Sequence, residues 1–164
     1  MGAQVCYPVD TPRPGCIYCE AVDAVEGVPS RIVEHPIEGW NAGARSQVEL
    51  AVSDLRTVFQ VGQAVGIVMG LAYANAFAPA DPATIQHGVY LWTQGGALLG
   101  QVYEAGAAAS AMFERAHDDT FEIRRLGTQV SYRINGTQFH VSGVPSHGNL
   151  IVGCCLYMTG DTVL

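Results

Sequence analysis

The chain has 164 residues, of which 49% are hydrophobic and 14% charged, and a formal net charge of −7. That is the size of a single domain able to bury a core, and a charged fraction well below the usual quarter suggests a surface partly covered by neighbours. Acidic character without a basic patch argues against nucleic acid as a partner, because phosphate needs clustered cations; all eight basic residues are arginine, which genome base composition explains most simply.

The first residues, MGAQVCYPVDTPRPG, lack the charged segment and apolar run of a signal peptide. Gly2 is followed by Cys6 where a myristoylation motif needs Ser or Thr. The longest apolar stretch, 61–78, is broken by Gly62, Gln63, Gly66 and Gly70, so no membrane insertion is expected. These features predict a protein made and folded in a cytoplasm.

Residues 1–30 carry Pro8, Pro12, Pro14 and Pro29 with Gly15 and Gly27, and so few core-building positions that they read as an extended arm that docks on a partner or on its own domain. The domain proper is expected over 31–164. Cys16 and Cys19 have C-x2-C spacing, suited to one half of a zinc or iron–sulfur site, with Cys6 as a third ligand and Cys154 or Cys155 as a fourth if the arm folds back. Adjacent cysteines on a strand point to opposite faces, which makes the second half poor. Buried thiols with no cofactor are therefore the preferred reading, and a disulfide between Cys6 and one of the pair is no better supported.

Alternating segments follow at 31–34, at 47–52 and at 56–61. Residues 64–74 are apolar and rich in Val and Ile, which favours a buried strand over a short helix. Residues 75–86, with Pro79 and Pro82, read as a loop. Residues 87–93 and 98–105 form a strand pair about Gln94-Gly95-Gly96. Residues 106–120 contain helix-forming alanines between strands. Propensity is a weak prior, so strand and loop are expected here. A last buried strand is expected over 149–157.

The most legible stretch is 121–142. Asn135-Gly136 between two alternating runs marks a type I′ hairpin, whose central residues need positive φ. A two-residue loop sets Ile134 opposite Thr137, Arg133 opposite Gln138, Tyr132 opposite Phe139, Ser131 opposite His140 and Val130 opposite Val141. The period of two then puts Val130, Tyr132, Ile134, Phe139 and Val141 on an apolar face, and Ser131, Arg133, Gln138 and His140 on a polar one. A second two-residue loop at Gly127-Thr128 adds Phe121 and Ile123 to the apolar face, sets Glu122 opposite Arg133, and sets Arg124 opposite Ser131. Short strands with a turn about every ten residues define an all-β sandwich.

This stretch resembles the late strands of concanavalin A-like jelly-roll domains, in particular those of bacteriophage tail and baseplate proteins. His87-Gly88-Val89-Tyr90, Val102-Tyr103-Glu104-Ala105-Gly106 and Leu156-Tyr157-Met158-Thr159-Gly160-Asp161 match further motifs of those modules in order, over roughly 38–164. The resemblance implies a jelly-roll β-sandwich and a non-enzymatic virion component at the tail tip or baseplate. It would be assembled in the host cytoplasm and held to other tail proteins by its arm, as a homo-oligomer within the assembly, with host-surface glycan attachment as its possible task. These modules usually end at the G-D turn, so no further domain is expected. The alternatives are a carbohydrate-active enzyme or an isolated carbohydrate-binding module, and a small structural protein stapled by metal. Jelly-roll glucanases use an E-x-D-x-E-type strand, which this chain lacks, and adjacent Asp118-Asp119 cannot flank one glycosidic bond. No enzyme is therefore expected.

Candidate ligand residues fall in two places. Tyr90 and Trp92 share a parity, opposite Val89 and Leu91, and with Trp40 and Tyr103 could stack on sugars if they face outward; core burial is the slightly favoured alternative. Arg124, Arg133, Gln138 and His140 form an outward row that could bind sugar hydroxyls or acidic glycans, or simply be a solvated face. His87 and His140 read as exposed strand histidines, since no acid or nucleophile is placed to make a triad. The sequon Asn135-Gly136-Thr137 is accounted for by the turn.

Overall fold

The computed structural model describes residues 39–40, 42–46, 49–50, 54–62, 64–158, 161 and 163. The arm expected over 1–30, the segment at 31–34 and most of that at 47–52 lie outside the described residues. The elements are β1 (Ala42–Arg45), β2 (Asp54–Gln60), β3 (Gly66–Tyr73), β4 (Ile85–Gln94), β5 (Ala97–Glu104), β6 (Ala107–Ala108), β7 (Phe113–Glu114), β8 (Thr120–Leu126), β9 (Gln129–Ile134), β10 (Thr137–Val141) and β11 (Leu150–Leu156), with a 3-10 turn at Pro82–Thr84. They form two antiparallel sheets. The larger runs β1-β11-β3-β4-β5-β6, with β7 also on β5; the smaller runs β10-β9-β8-β2.

The two inner faces make the main core. Ile67, Met69, Leu71, Val89, Leu91 and Val102 from the larger sheet meet Leu55, Phe59, Phe121, Ile123, Val130 and Tyr132 from the smaller. Phe59 stacks on Phe121 at 5.6 Å between centroids. A second cluster lies on the outer side of the larger sheet, where Val68, Ala72, Ile85, Ile151 and Cys155 are covered by Trp40, Phe77, Tyr90 and Tyr103. β3 is thus buried on both faces, which is why its sequence is an unbroken apolar run rather than an alternation. Phe77, from the loop after β3, lies over Gly153; a Cβ there would meet its ring at 2.7 Å.

The turns obey their glycines. β4 and β5 pair Gln94 with Ala97 about Gly95-Gly96, and β8 and β9 pair Leu126 with Gln129 about Gly127-Thr128. β9 and β10 close about Asn135 (φ 51°) and Gly136 (φ 80°), the type I′ geometry. The Asn135 side chain also accepts from Thr120 N and donates to Asp119 Oδ1 at 2.7 Å. Asn135→Ala should therefore cost about 1–2 kcal/mol, from a strained φ and two lost bonds, measurable by urea unfolding; a change below a few tenths would contradict this.

Two expectations need correction. The register of the hairpin holds for Ile134–Thr137 and Arg133–Gln138, then shifts at a bulge, so that Tyr132 pairs with His140 and Ser131 with Val141. The extra residue inverts the parity beyond it. Val141 is 39% exposed rather than on the core face, and His140 turns to the inner side, its ring 5.6 Å from that of Tyr132. Phe139, at the bulge, is 37% exposed and meets Phe113 edge-on at 5.0 Å. His87, expected at the surface, is 1% exposed. Residues 106–120 are free of helix as expected. There Ser110 Oγ accepts from Val102 N, and Gln101 Nε2 donates to Ser110 O, tying the chain to β5.

Candidate functional site

The outer face of the larger sheet carries a continuous set of rings. β4 turns Val89 and Leu91 into the main core, so Tyr90 and Trp92 project outward by the two-residue period. They stack on each other at 4.6 Å and 21°. Tyr90 also meets Trp40 at 5.9 Å and Tyr103 at 6.2 Å, and Trp40 meets Tyr157 edge-on at 5.4 Å. All five rings are half-buried. Burial, with the acidic groups of Tyr157, Asp161 and Tyr103 nearby, raises the Tyr90 hydroxyl pKa, so it stays a neutral donor. Trp92 makes its single ring contact among the described residues with Tyr90, leaving its other face without an aromatic partner.

The corner under Tyr157 is held by Asp161. Its carboxylate, fully buried, accepts from the backbone N–H of Val65, Gly66, Tyr157 and Met158, at 2.5, 3.3, 3.2 and 2.9 Å. The Tyr157 N–H is shared with Gly66 O. Tyr157 Cβ packs so closely on Gly66 that a side chain there would meet it at 2.8 Å.

The row of Arg124, Arg133 and Gln138 lies on the outer face of the other sheet, and the bulge removes His140 from it. Its charges are answered within the sheet. Arg124 makes a forked pair with Asp54, at 3.1 and 3.0 Å, while Glu122 lies 2.8 Å from Arg56 and 3.8 Å from Arg133. The hydrogen-bonded Arg124 guanidinium holds the Asp54 carboxyl below its ordinary range, and is itself raised by that partner. This row is an ion-paired sheet face, separate from the aromatic one.

Inside the sandwich is a polar group that local sequence signals missed. Glu104 Oε1 accepts from the Tyr132 hydroxyl at 2.5 Å, and His87 Nδ1 lies 3.4 Å from the same oxygen. All three are buried. Burial pushes the Glu104 carboxyl up, but hydrogen bonds from His87, Tyr132 and Ser142 outweigh it and leave the group below its ordinary value. Burial, then the bond to Glu104, drives the Tyr132 hydroxyl far up, so it remains a donor.

Cys6, Cys16 and Cys19 lie outside the described residues. Cys154 faces the main core and Cys155 the outer cluster, as their adjacency requires. Burial pushes the Cys155 thiol up to about 12, so it stays protonated. Among the described residues no group of three His, Cys, Asp or Glu is placed to hold a metal ion, and no helix is long and apolar enough to cross a membrane.

Fold and outer face together define a jelly-roll β-sandwich of the concanavalin A-like type with an aromatic sheet surface. No protein-family model matches the sequence, and no curated protein does. Among solved structures the chain is similar to the SPRY domain of human HERC1, at 12% identity and a TM-score of 0.56, over 77% of this chain and 82% of that one. It is also similar to a beta-1,3-1,4-glucanase (lichenase) derived from a mouse hindgut metagenome, at 10% identity and a TM-score of 0.42, over 73% of this chain and 59% of that one. A third is the catalytic domain of an endo-1,3-beta-glucanase (laminarinase) from Thermotoga petrophila RKU-1, at 14% identity and a TM-score of 0.41, over 74% and 62%. The chain spans less than two thirds of either glucanase structure.

Strand parity put Tyr90 and Trp92 on one face, opposite Val89 and Leu91, without saying which face was outward, and core burial was the slightly favoured expectation; Trp40 and Tyr103 were candidates by residue type alone, and Tyr157 was not read as part of the ring set, because it lies far along the chain on the turn after β11. Glu114 was missed as well. It pairs with Leu99, which pairs with Trp92, and so shares the aromatic face.

Proposed function

We propose that this chain is a non-catalytic, lectin-like module that binds a neutral glycan on its aromatic sheet face. The observation that carries this reading is the ring set Trp40, Tyr90, Trp92, Tyr103 and Tyr157, assembled half-buried on one outward face. Flat apolar rings with polar rims suit the C–H faces and hydroxyls of a sugar. Glycoside hydrolysis by the usual route needs two carboxyl groups flanking one bond. The described strand residues of this face supply one, Glu114, on a two-residue edge strand.

The setting we propose is a bacteriophage tail, with the proline-rich arm as the docking segment and host-surface polysaccharide as the ligand. That setting is supported by the ordered motifs in the sequence alone. The test is binding of the purified chain to a panel of bacterial surface polysaccharides, read by tryptophan fluorescence. Trp92→Ala should weaken binding at least tenfold, about 1.4 kcal/mol of lost stacking and burial. Arg133→Ala, on the opposite sheet, should leave it unchanged. Absence of binding from a folded protein, or equal loss in both variants, would defeat the proposal. Release of reducing ends from a bound glycan would defeat its non-catalytic part.

A further inference from the structure

The far end of β4 carries more than stacked rings. Tyr90 covers one face of Trp92 at 4.6 Å and 21°, and it lies two residues earlier on the same strand. The other face of the indole therefore looks along β4 toward Gln94, which shares its parity and is exposed. Across the sheet Trp92 pairs with Leu99, and Leu99 pairs with Glu114 on β7. These four residues point outward, because Leu91, Val102 and Phe113, of the opposite parity, pack in the main core. Strand spacing puts the backbone of Glu114 about 10 Å from that of Trp92, and the rise along β4 puts Gln94 about 7 Å from it. One pyranose ring fits against the indole with a polar side chain at each of two edges. Beyond Gln94 the hairpin closes on Gly95 and Gly96, with open space where side chains would stand, so a glycan chain can leave over this end of the sheet.

The chemistry of the three side chains is complementary. Trp92 offers an apolar face to sugar C–H groups. Gln94 both donates and accepts, while the Glu114 carboxylate only accepts, at two oxygens, which matches a pair of adjacent hydroxyls. Neither is engaged by another side chain among the described residues. On the opposite sheet, by contrast, the carboxylate of Asp54 is taken up by Arg124. Arg115, next to Glu114 in the chain, points into the sandwich and is buried. Among the described strand residues of the aromatic face the cationic side chain is Arg45, on β1 at the far rim, three strands from β4. An acidic sugar on Trp92 would thus meet a like charge with no cation to offset it, and repulsion of that kind separates ligands of nearly the same shape.

We infer that Trp92, Gln94 and Glu114 form a subsite for one neutral sugar unit, and that Glu114 sets its specificity by accepting from the sugar hydroxyls and excluding the carboxylate of a uronate. This inference rests on the aromatic face being the glycan surface.

The test uses the full chain with cellohexaose, mannohexaose and a galactan oligosaccharide, each beside its C6-oxidised counterpart, with binding read by calorimetry and tryptophan fluorescence. At least one neutral glycan should bind, about tenfold more tightly than its oxidised form at low salt, and the gap should narrow as salt screens the charges. Glu114→Gln should weaken neutral binding several-fold and close most of the gap. Gln94→Ala should weaken neutral binding several-fold and leave the gap intact. Both side chains are exposed, so both variants should melt with the wild type. A neutral glycan whose binding is lost in Trp92→Ala but unchanged in Glu114→Gln would overturn the inference while leaving the aromatic face as the glycan surface. Equal wild-type affinity for the neutral and oxidised forms would do the same. Absence of binding to every probe, or binding that survives Trp92→Ala, would defeat the aromatic face itself and the subsite with it.

Discussion

Asp161→Ala is expected to cost about 3–5 kcal/mol and to lower the melting temperature by roughly 10 °C. The carboxylate is the meeting point of four backbone amides from two segments, the entry to β3 and the turn after β11. Charge-assisted bonds to backbone amides are about twice as strong as neutral ones. Removing the acceptor leaves buried donors without partners, which costs more than the bonds contributed. Asp161→Asn keeps one carbonyl oxygen and should fall between the two. Because Tyr157 sits in the same turn, the alanine variant should also disturb the Trp40–Tyr157 corner, which tryptophan fluorescence would report. A loss of less than about 1 kcal/mol in chemical unfolding would show that the clamp is redundant.

Glu104→Ala should have a comparable effect, about 3–4 kcal/mol, by opening a cavity and leaving His87 and Tyr132 without their buried partner. The same residue gives the fold an acid limb. The Glu104 carboxyl titrates lower in the folded protein than in the unfolded chain, so folding favours its ionised form. Its contribution is full above the ordinary glutamate range, about pH 4.3, and is lost as the pH falls through the lowered folded value. Melting temperatures measured downward from neutral pH should therefore fall more steeply in the wild type than in Glu104→Gln. Parallel profiles would remove Glu104 from the cause.

The motifs that made the chain resemble jelly-roll modules turn out to hold the fold together. His87 opens one motif, Glu104 centres another and Tyr132 lies within the 121–142 stretch, and in space they form one hydrogen-bonded group. Asp161 ends the last motif and clamps the turn after β11. None of this was visible locally, because the partners are separated by tens of residues and each alone resembles an ordinary strand residue. That is also why His87 read as exposed: a histidine at a strand start has no local sign of a buried carboxylate across the sheet.

The faces were more legible than the contacts. Parity placed Tyr90 and Trp92 opposite Val89 and Leu91, and the Asn135-Gly136 turn fixed the first two pairs of its hairpin. The bulge at Phe139 was not signalled, since an extra residue needs no special side chain, and it moved His140 off the row to which alternation assigned it. Arg124 and Arg133 were visible as a row, and the turn at Gly127-Thr128 placed Glu122 opposite Arg133; the carboxylate of Asp54 that pairs with Arg124 was not visible, because it comes from β2, some seventy residues away.

The order of strands in the larger sheet has a consequence for biogenesis. β11, residues 150–156, does not add to the rim of the sheet but lies between β1 and β3, and pairs with both. During synthesis, β3 must wait with an open hydrogen-bonding edge and two apolar faces until β11 has left the ribosome. Closure then brings together segments more than a hundred residues apart, which is slow and exposes the nascent chain to misassociation. The larger sheet thus closes only once β11 is made, and its most apolar strand must be sheltered while residues 74–149 are synthesised.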